Sequence, residues 1–197
     1  MYSFFAMLFR MKYINRWALM RNTQSENLSE HAMEVAAITH CLALIHNKRF
    51  GGCVNAERGA VIGLFHDCTE ILTGDLPTPV KYHDDALRSS YKQMEKEAAL
   101  RMGSMLPGEL QEEYASLLQP AAGDEYLWKL CKGADKLCAL IKCMEEEKMG
   151  NGEFASAKRA TLSALQNINL PEVEVFMAEY LPAFALTLDE LNPQEGA

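Results

Sequence analysis

From Asn27 to about Asn47, apolar residues recur at helical spacing through Val35, Ile38, Leu42 and Ile45, and no stretch alternates apolar and polar residues as a half-buried strand would. Val54, Val61 and Val173 are scattered rather than clustered. The chain is therefore expected to be all-α, a helical bundle. Further helices are predicted over 2–15, after Asn55, and over 86–103, 109–118, 124–148, 153–167 and 171–190. Asn27 and Ser29 are both suited to cap the long helix, and Asn55 the next. Between them lie a polar stretch from Arg21 to Glu26 and the pair Gly51-Gly52. Gly74-Asp75-Leu76-Pro77-Thr78-Pro79 precludes regular helix, because proline removes a donor and fixes φ.

The 197 residues fit one domain, 1–197, with no repeat or linker. The last ~5 residues are expected to fray. A net charge of −8 argues against a nucleic-acid polymer as partner, since backbone binding needs dense Lys/Arg patches. A small phosphorylated ligand needs only one or two local cations. The apolar run Tyr2–Phe9 precedes Arg10 and Lys12, the reverse of a secretory signal, and is too short to span a membrane. It is expected to be a buried first helix. Six cysteines include no C-x-x-C pair, which points to reduced thiols and a cytoplasmic location.

His66-Asp67 sits in a mostly apolar stretch, with His31 upstream, Glu70 just after it and Asp135 far downstream. Residues 131, 134, 135 and 138 share one helical face, and Cys131, Ala134 and Cys138 make that face apolar. A carboxylate facing a core is costly unless it is paired or holds a metal. Asp135 could instead bond a neighbouring helix or swing to solvent. Glu70 is i+4 from His66 and i+3 from Asp67, so on a continuous helix it overhangs the same patch. Any one of these residues alone is a weak signal. Together, two imidazoles and two carboxylates on separate helices make a divalent-metal site.

The order His31, His66-Asp67, Asp135 resembles the HD superfamily of metal-dependent phosphohydrolases. Within it the chain is similar to the bacterial 5′-deoxynucleotidases. The matching stretches are Asn15-Arg16-Trp17, Leu19-Met20-Arg21-Asn22, Glu26-Asn27-Leu28-Ser29-Glu30-His31, Phe50-Gly51-Gly52, His66-Asp67 with Glu70, Leu72 to Tyr82, and Ala134-Asp135 with Leu137-Cys138-Ala139. Ala18, Cys68-Thr69 and Lys136 depart from the pattern, and none removes a ligand. Lys136 is expected to point away from the metal face.

The resemblance implies one divalent ion on His31, His66, Asp67 and Asp135. Mixed N/O ligation suits Co²⁺, Mn²⁺, Zn²⁺ or Fe²⁺ better than Ca²⁺ or Mg²⁺, with Co²⁺ expected in an assay. It implies that Glu70 is a general base or acid, that Arg16 orients the phosphate, and that Asp67 joins them in catalysis. Trp17 would pack by the sugar and disfavour a 2′-hydroxyl. Asp75, Leu76, Pro77 and Thr78 would hold the nucleoside, with Asp67 and Asp135 also facing substrate, and Lys81 would add positive potential. His83 is a poor candidate for an extra ligand. The implied activity is hydrolysis of deoxyribonucleoside 5′-monophosphates by a homodimer. The alternatives are a phosphohydrolase of another nucleotide, or a non-catalytic metal- and nucleotide-binding sensor.

Overall fold

A computed structural model describes residues 1–77 and 84–192. Among these residues the chain is helical and forms no strand. The expected frayed tail at 193–197, Thr78, Lys81 and His83 lie outside the described residues.

The chain opens with α1 (Phe4–Leu8) and a 3₁₀ segment, Phe9–Tyr13. The expected helix over 2–15 is thus shorter, for a long-range reason. Ile14 turns extended, its carbonyl accepts from Leu28 N at 2.9 Å, and Asn15 pairs with Asn27 in an isolated antiparallel bridge. Those contacts compete with helix continuation. The first helix is also only partly buried: Phe4 is in the core, whereas Phe5 and Phe9 are exposed.

The long helix α2 (Leu28–Arg49) begins at Asn27, not Ser29. The Asn27 side chain accepts from Ser29 N and Glu30 N, and the Glu30 carboxylate accepts from Asn27 N, a complete capping box. Helix α3 (Ala56–Phe65) is capped by Asn55, which accepts from Arg58 N at 2.8 Å. After it come α4 (Glu70–Thr73), α5 (Asp85–Gly103), α6 (Gly108–Leu118) and the long α7 (Glu125–Lys148). Helix α8 (Ala155–Ile168) is followed by α9 (Pro171–Glu179), the 3₁₀ turn Leu181–Ala185 and α10 (Leu188–Leu191). The single helix expected over 171–190 is therefore broken. Pro182 cannot donate to the helix ladder, and Thr187 starts a new helix with its own capping box to Glu190.

Helices α2, α3 and α7 enclose the main core. Val35, Leu42, Ile62, Leu130, Leu137 and Leu140 are almost wholly buried there. Each such side chain contributes about 1.5–3 kcal/mol by leaving water. A second cluster, with Phe4, Leu28, Cys68, Met102 and Leu106, lies under the N-terminal segment and α5. The six cysteines are free, and four of them are buried. No helix among the described residues is long and apolar enough to cross a membrane.

One glycine sets the distance between α2 and α3. A Cβ on Gly63 would lie 2.6 Å from Ala36 Cα, so only glycine permits this backbone approach. The crossing brings His66, three residues on, beside His31, with ring centroids 5.4 Å apart.

Candidate metal and phosphate site

His31 occupies the first turn of α2, in the position that the Asn27 capping box fixes. Asp135 lies midway along α7, and Cys131, Ala134 and Cys138 on its face are buried as expected. His66 and Asp67 are not inside a continuous helix. Helix α3 ends at Phe65, residues 66–69 form turns, and Glu70 opens α4 with its N–H on Asp67 O at 3.0 Å. The turn moves both ligands to the end of α3, facing α2 and α7.

One ligand atom from each of His31, His66, Asp67 and Asp135 lies within 4.8 Å of the other three. His66 Nδ1 donates to Gly63 O at 2.7 Å, which fixes the tautomer and leaves Nε2 as the inward lone pair. His31 Nε2 and His66 Nε2 are buried and make no hydrogen bond, although Asp135 Oδ1 is 3.2 Å from the first and Asp67 Oδ2 is 3.0 Å from the second. Buried ring nitrogens seldom go unsatisfied. Two imidazoles whose inward nitrogens lack a hydrogen bond, converging with two carboxylates, fit a divalent ion of the first transition row.

Without a cation the ionised carboxylates draw a proton onto His66, which a bound metal would displace. Burial disfavours charge on His66, but Asp67 beside it outweighs that and pushes its pKa up to about 9. Burial likewise raises Asp67, yet His66 holds it at about 2. Asp135 is kept well below the usual range against its burial by Lys136, His31 and Arg16. The carboxylates are ionised, as ligation requires.

Lys136 does not turn away as expected. Its Nζ donates to Asp135 Oδ2 at 2.9 Å, because the side chain is long and flexible enough to curl back along the helix to its neighbour. Glu70 is buried, 5 % exposed.

Arg16 and Trp17 follow the 3₁₀ segment rather than ending a helix. Arg16 Nη2 lies 3.9 Å from Asp135 Oδ1, so a cation borders the ligand cluster. Trp17 adopts φ +56°, a conformation costly for a bulky residue. Its carbonyl accepts from Met20 N and from Asn22 Nδ2, and its ring lies 5.3 Å from that of Phe154. Both residues are tied to Glu26, which the sequence reading gave no role. Asp75, Leu76 and Pro77 are half-buried in the stretch after Gly74, whose φ of +78° suits glycine. Buried Tyr91 on α5 donates to Gly74 O at 3.3 Å and anchors the start of this stretch.

A family profile described as 5′-deoxynucleotidase YfbR-like matches residues 3–184. The chain belongs to this family. A 5′-deoxynucleotidase of Photobacterium profundum is 48% identical over 189 residues, covering 96% of this chain and 97% of its own. One from Yersinia pseudotuberculosis is 47% identical over 192 residues and 98% of each chain. Among solved structures, an HD-domain phosphohydrolase from Listeria innocua has a TM-score of 0.80 at 25% identity, covering 92% of this chain and 88% of that one. A cyanophage S-2L HD phosphohydrolase, solved with dA and one catalytic Zn²⁺, shares the fold with a TM-score of 0.64 at 18% identity; it covers 92% of this chain and 96% of that one. In this YfbR-like chain the ligand cluster is thus built on the helical scaffold of HD phosphohydrolases.

Proposed function

We propose that the chain hydrolyses deoxyribonucleoside 5′-monophosphates to a deoxyribonucleoside and phosphate, using one divalent ion on His31, His66, Asp67 and Asp135. The observation that carries this reading is the convergence of those four ligands beside Arg16. The 5′-deoxynucleotidase names of the near full-length relatives supply the substrate class.

The ion, when bound, polarises the phosphoryl group and lowers the pKa of water. Asp67 and Asp135 hold negative charge within the cluster, and Arg16 at its border presents a planar donor fork for phosphate oxygens. Glu70 takes the proton from the attacking water. The new P–O bond forms as the P–O5′ bond breaks, and the proton passes to the departing O5′. Trp17 packs against the sugar where a 2′-hydroxyl would project. Asp75 accepts from the 3′-hydroxyl, and Leu76, Pro77 and Thr78 complete the nucleoside site.

The same reading makes 1–197 a single domain and the protein a cytoplasmic homodimer, active with Co²⁺ and able to use Mn²⁺, Zn²⁺ or Fe²⁺. Against a purely structural metal in a sensor stands the buried Glu70, a carboxylate outside the ligand set.

Phosphate release from dAMP, AMP and 3′-AMP by chelator-stripped protein, with each metal restored in turn, tests the proposal. Metal-dependent release from dAMP, with the other two poor, is expected. Equal use of AMP removes the sugar selectivity. No release with any metal sinks the monophosphatase reading.

A further inference from the structure

Glu26 stands at the junction of the phosphate, sugar and metal parts of the site. Its Oε1 accepts from Arg16 Nη1 at 2.5 Å, and its Oε2 accepts from Trp17 Nε1 at 3.2 Å. The two oxygens of one carboxylate thus hold two adjacent residues to which separate tasks fall. Its backbone joins in, because Glu26 O accepts from Arg16 N at 2.9 Å. Oε1 also lies 3.4 Å from His31 Nδ1, the nitrogen opposite the metal-facing one. Glu26 is buried, 9 % exposed.

We propose that Glu26 is the positioning residue that locks Arg16 and Trp17 into one rigid unit, so that grip on the phosphate and rejection of a 2′-hydroxyl depend on the same carboxylate. The proposal rests on the deoxynucleotidase reading for the tasks of those two residues. The physical reason is entropic. Arginine loses more rotamer freedom on ordering than most side chains, and Glu26 orders it before substrate arrives. Trp17 sits on strained backbone, and the bond from its indole N–H offsets part of that strain. The capping box at Asn27, next in sequence, keeps Glu26 in register with His31.

The test is a double-mutant cycle of Glu26→Gln with Arg16→Ala. Two readouts are used: inorganic phosphate binding to the Mn²⁺-loaded protein by calorimetry, and kcat/KM for dAMP against AMP. A residue acting through Arg16 has its effect only while Arg16 is present. Glu26→Gln is therefore expected to weaken phosphate binding about tenfold, the usual size for a lost hydrogen bond to a charged group. In the Arg16→Ala background it is expected to change phosphate binding less than about twofold. Glu26→Gln should also lower the dAMP preference about tenfold, mostly through KM. Glu26→Asp, which keeps the charge one methylene short, serves if the Gln variant fails to fold and should fall between the two. Additive effects in the cycle, or wild-type phosphate affinity and sugar preference in a folded Glu26 variant, overturn the proposal. If the wild type does not turn over dAMP, the deoxynucleotidase reading fails, while the phosphate cycle still decides the role of Glu26.

Discussion

Lys136 Nζ donates to Asp135 Oδ2 at 2.9 Å, so a fixed cation sits against a carboxylate of the ligand cluster. Two like charges repel most where water is scarce. Lys136 is 35 % exposed, so the repulsion is partly screened. Lys136→Ala is expected to tighten metal binding about three- to tenfold, given the effective dielectric near a protein surface. A competition titration of Co²⁺ against a chelator of known affinity measures it. Unchanged or weaker binding would mean that the lysine does not oppose the ion.

A ligand that binds only the folded state stabilises it. At a hundredfold excess over Kd the gain is ~2.7 kcal/mol. For a chain of this size that raises Tm by about 5–10 °C. Thermal melts of stripped protein with and without Co²⁺ should show this rise. His66→Ala should abolish it, because the cluster loses one of its two imidazoles.

Glu70→Gln should separate chemistry from binding. The amide keeps the shape but cannot take a proton. Turnover is expected to fall about 10²–10⁴-fold, while Co²⁺ still binds, because Glu70 contributes no atom to the ligand cluster. An unchanged kcat would remove Glu70 from the mechanism.

Gly63 is expected to tolerate no side chain. Its Cβ would meet the Ala36 backbone at Cα, 2.6 Å away, where no flexible side-chain end can move aside. Gly63→Ala should cost about 1–3 kcal/mol by overpacking and also weaken metal binding, since it pushes His66 from His31. A melt and a metal titration on the same sample check both effects.

Glu146 supports the loop that follows Arg16 and Trp17. It is 1 % exposed and accepts from Thr23 N, Thr23 Oγ1, Asn151 Nδ2 and Lys142 Nζ. Burial pushes its pKa up, but the Lys142 ammonium and the other donors hold it far below its ordinary value of 4.5. A depressed folded-state pKa gives stability that is present above 4.5 and lost as pH falls below it. Glu146→Gln should thus be destabilised by about 3–5 kcal/mol near neutral pH, as for a broken buried pair. Its deficit against wild type should shrink as pH drops below 4.5. Denaturant melts across pH 3–7 measure the difference; a constant deficit would show that charge is not the cause.

The sequence by itself determined the helices whose signals are local. Asn27 with Glu30 starts α2, Asn55 starts α3, and the i, i+3, i+4, i+7 face of α7 places Asp135 among Cys131, Ala134 and Cys138. It also named the four residues that converge, because residue type and order carry ligand chemistry even when distance does not. The tertiary structure decided everything that depends on a partner far along the chain. The first helix stops because Ile14 O meets Leu28 N, His66 reaches His31 because Gly63 touches Ala36, and Lys136 curls onto Asp135 although its helical position points elsewhere. Glu26 is the clearest case. Its spacing to Arg16 and Trp17 follows no helical or strand period, and only the closure of the loop between Asn15 and Asn27 brings its carboxylate to both. Periodicity reports one element's own geometry; contacts across a loop depend on where the chain returns, and no local pattern encodes that.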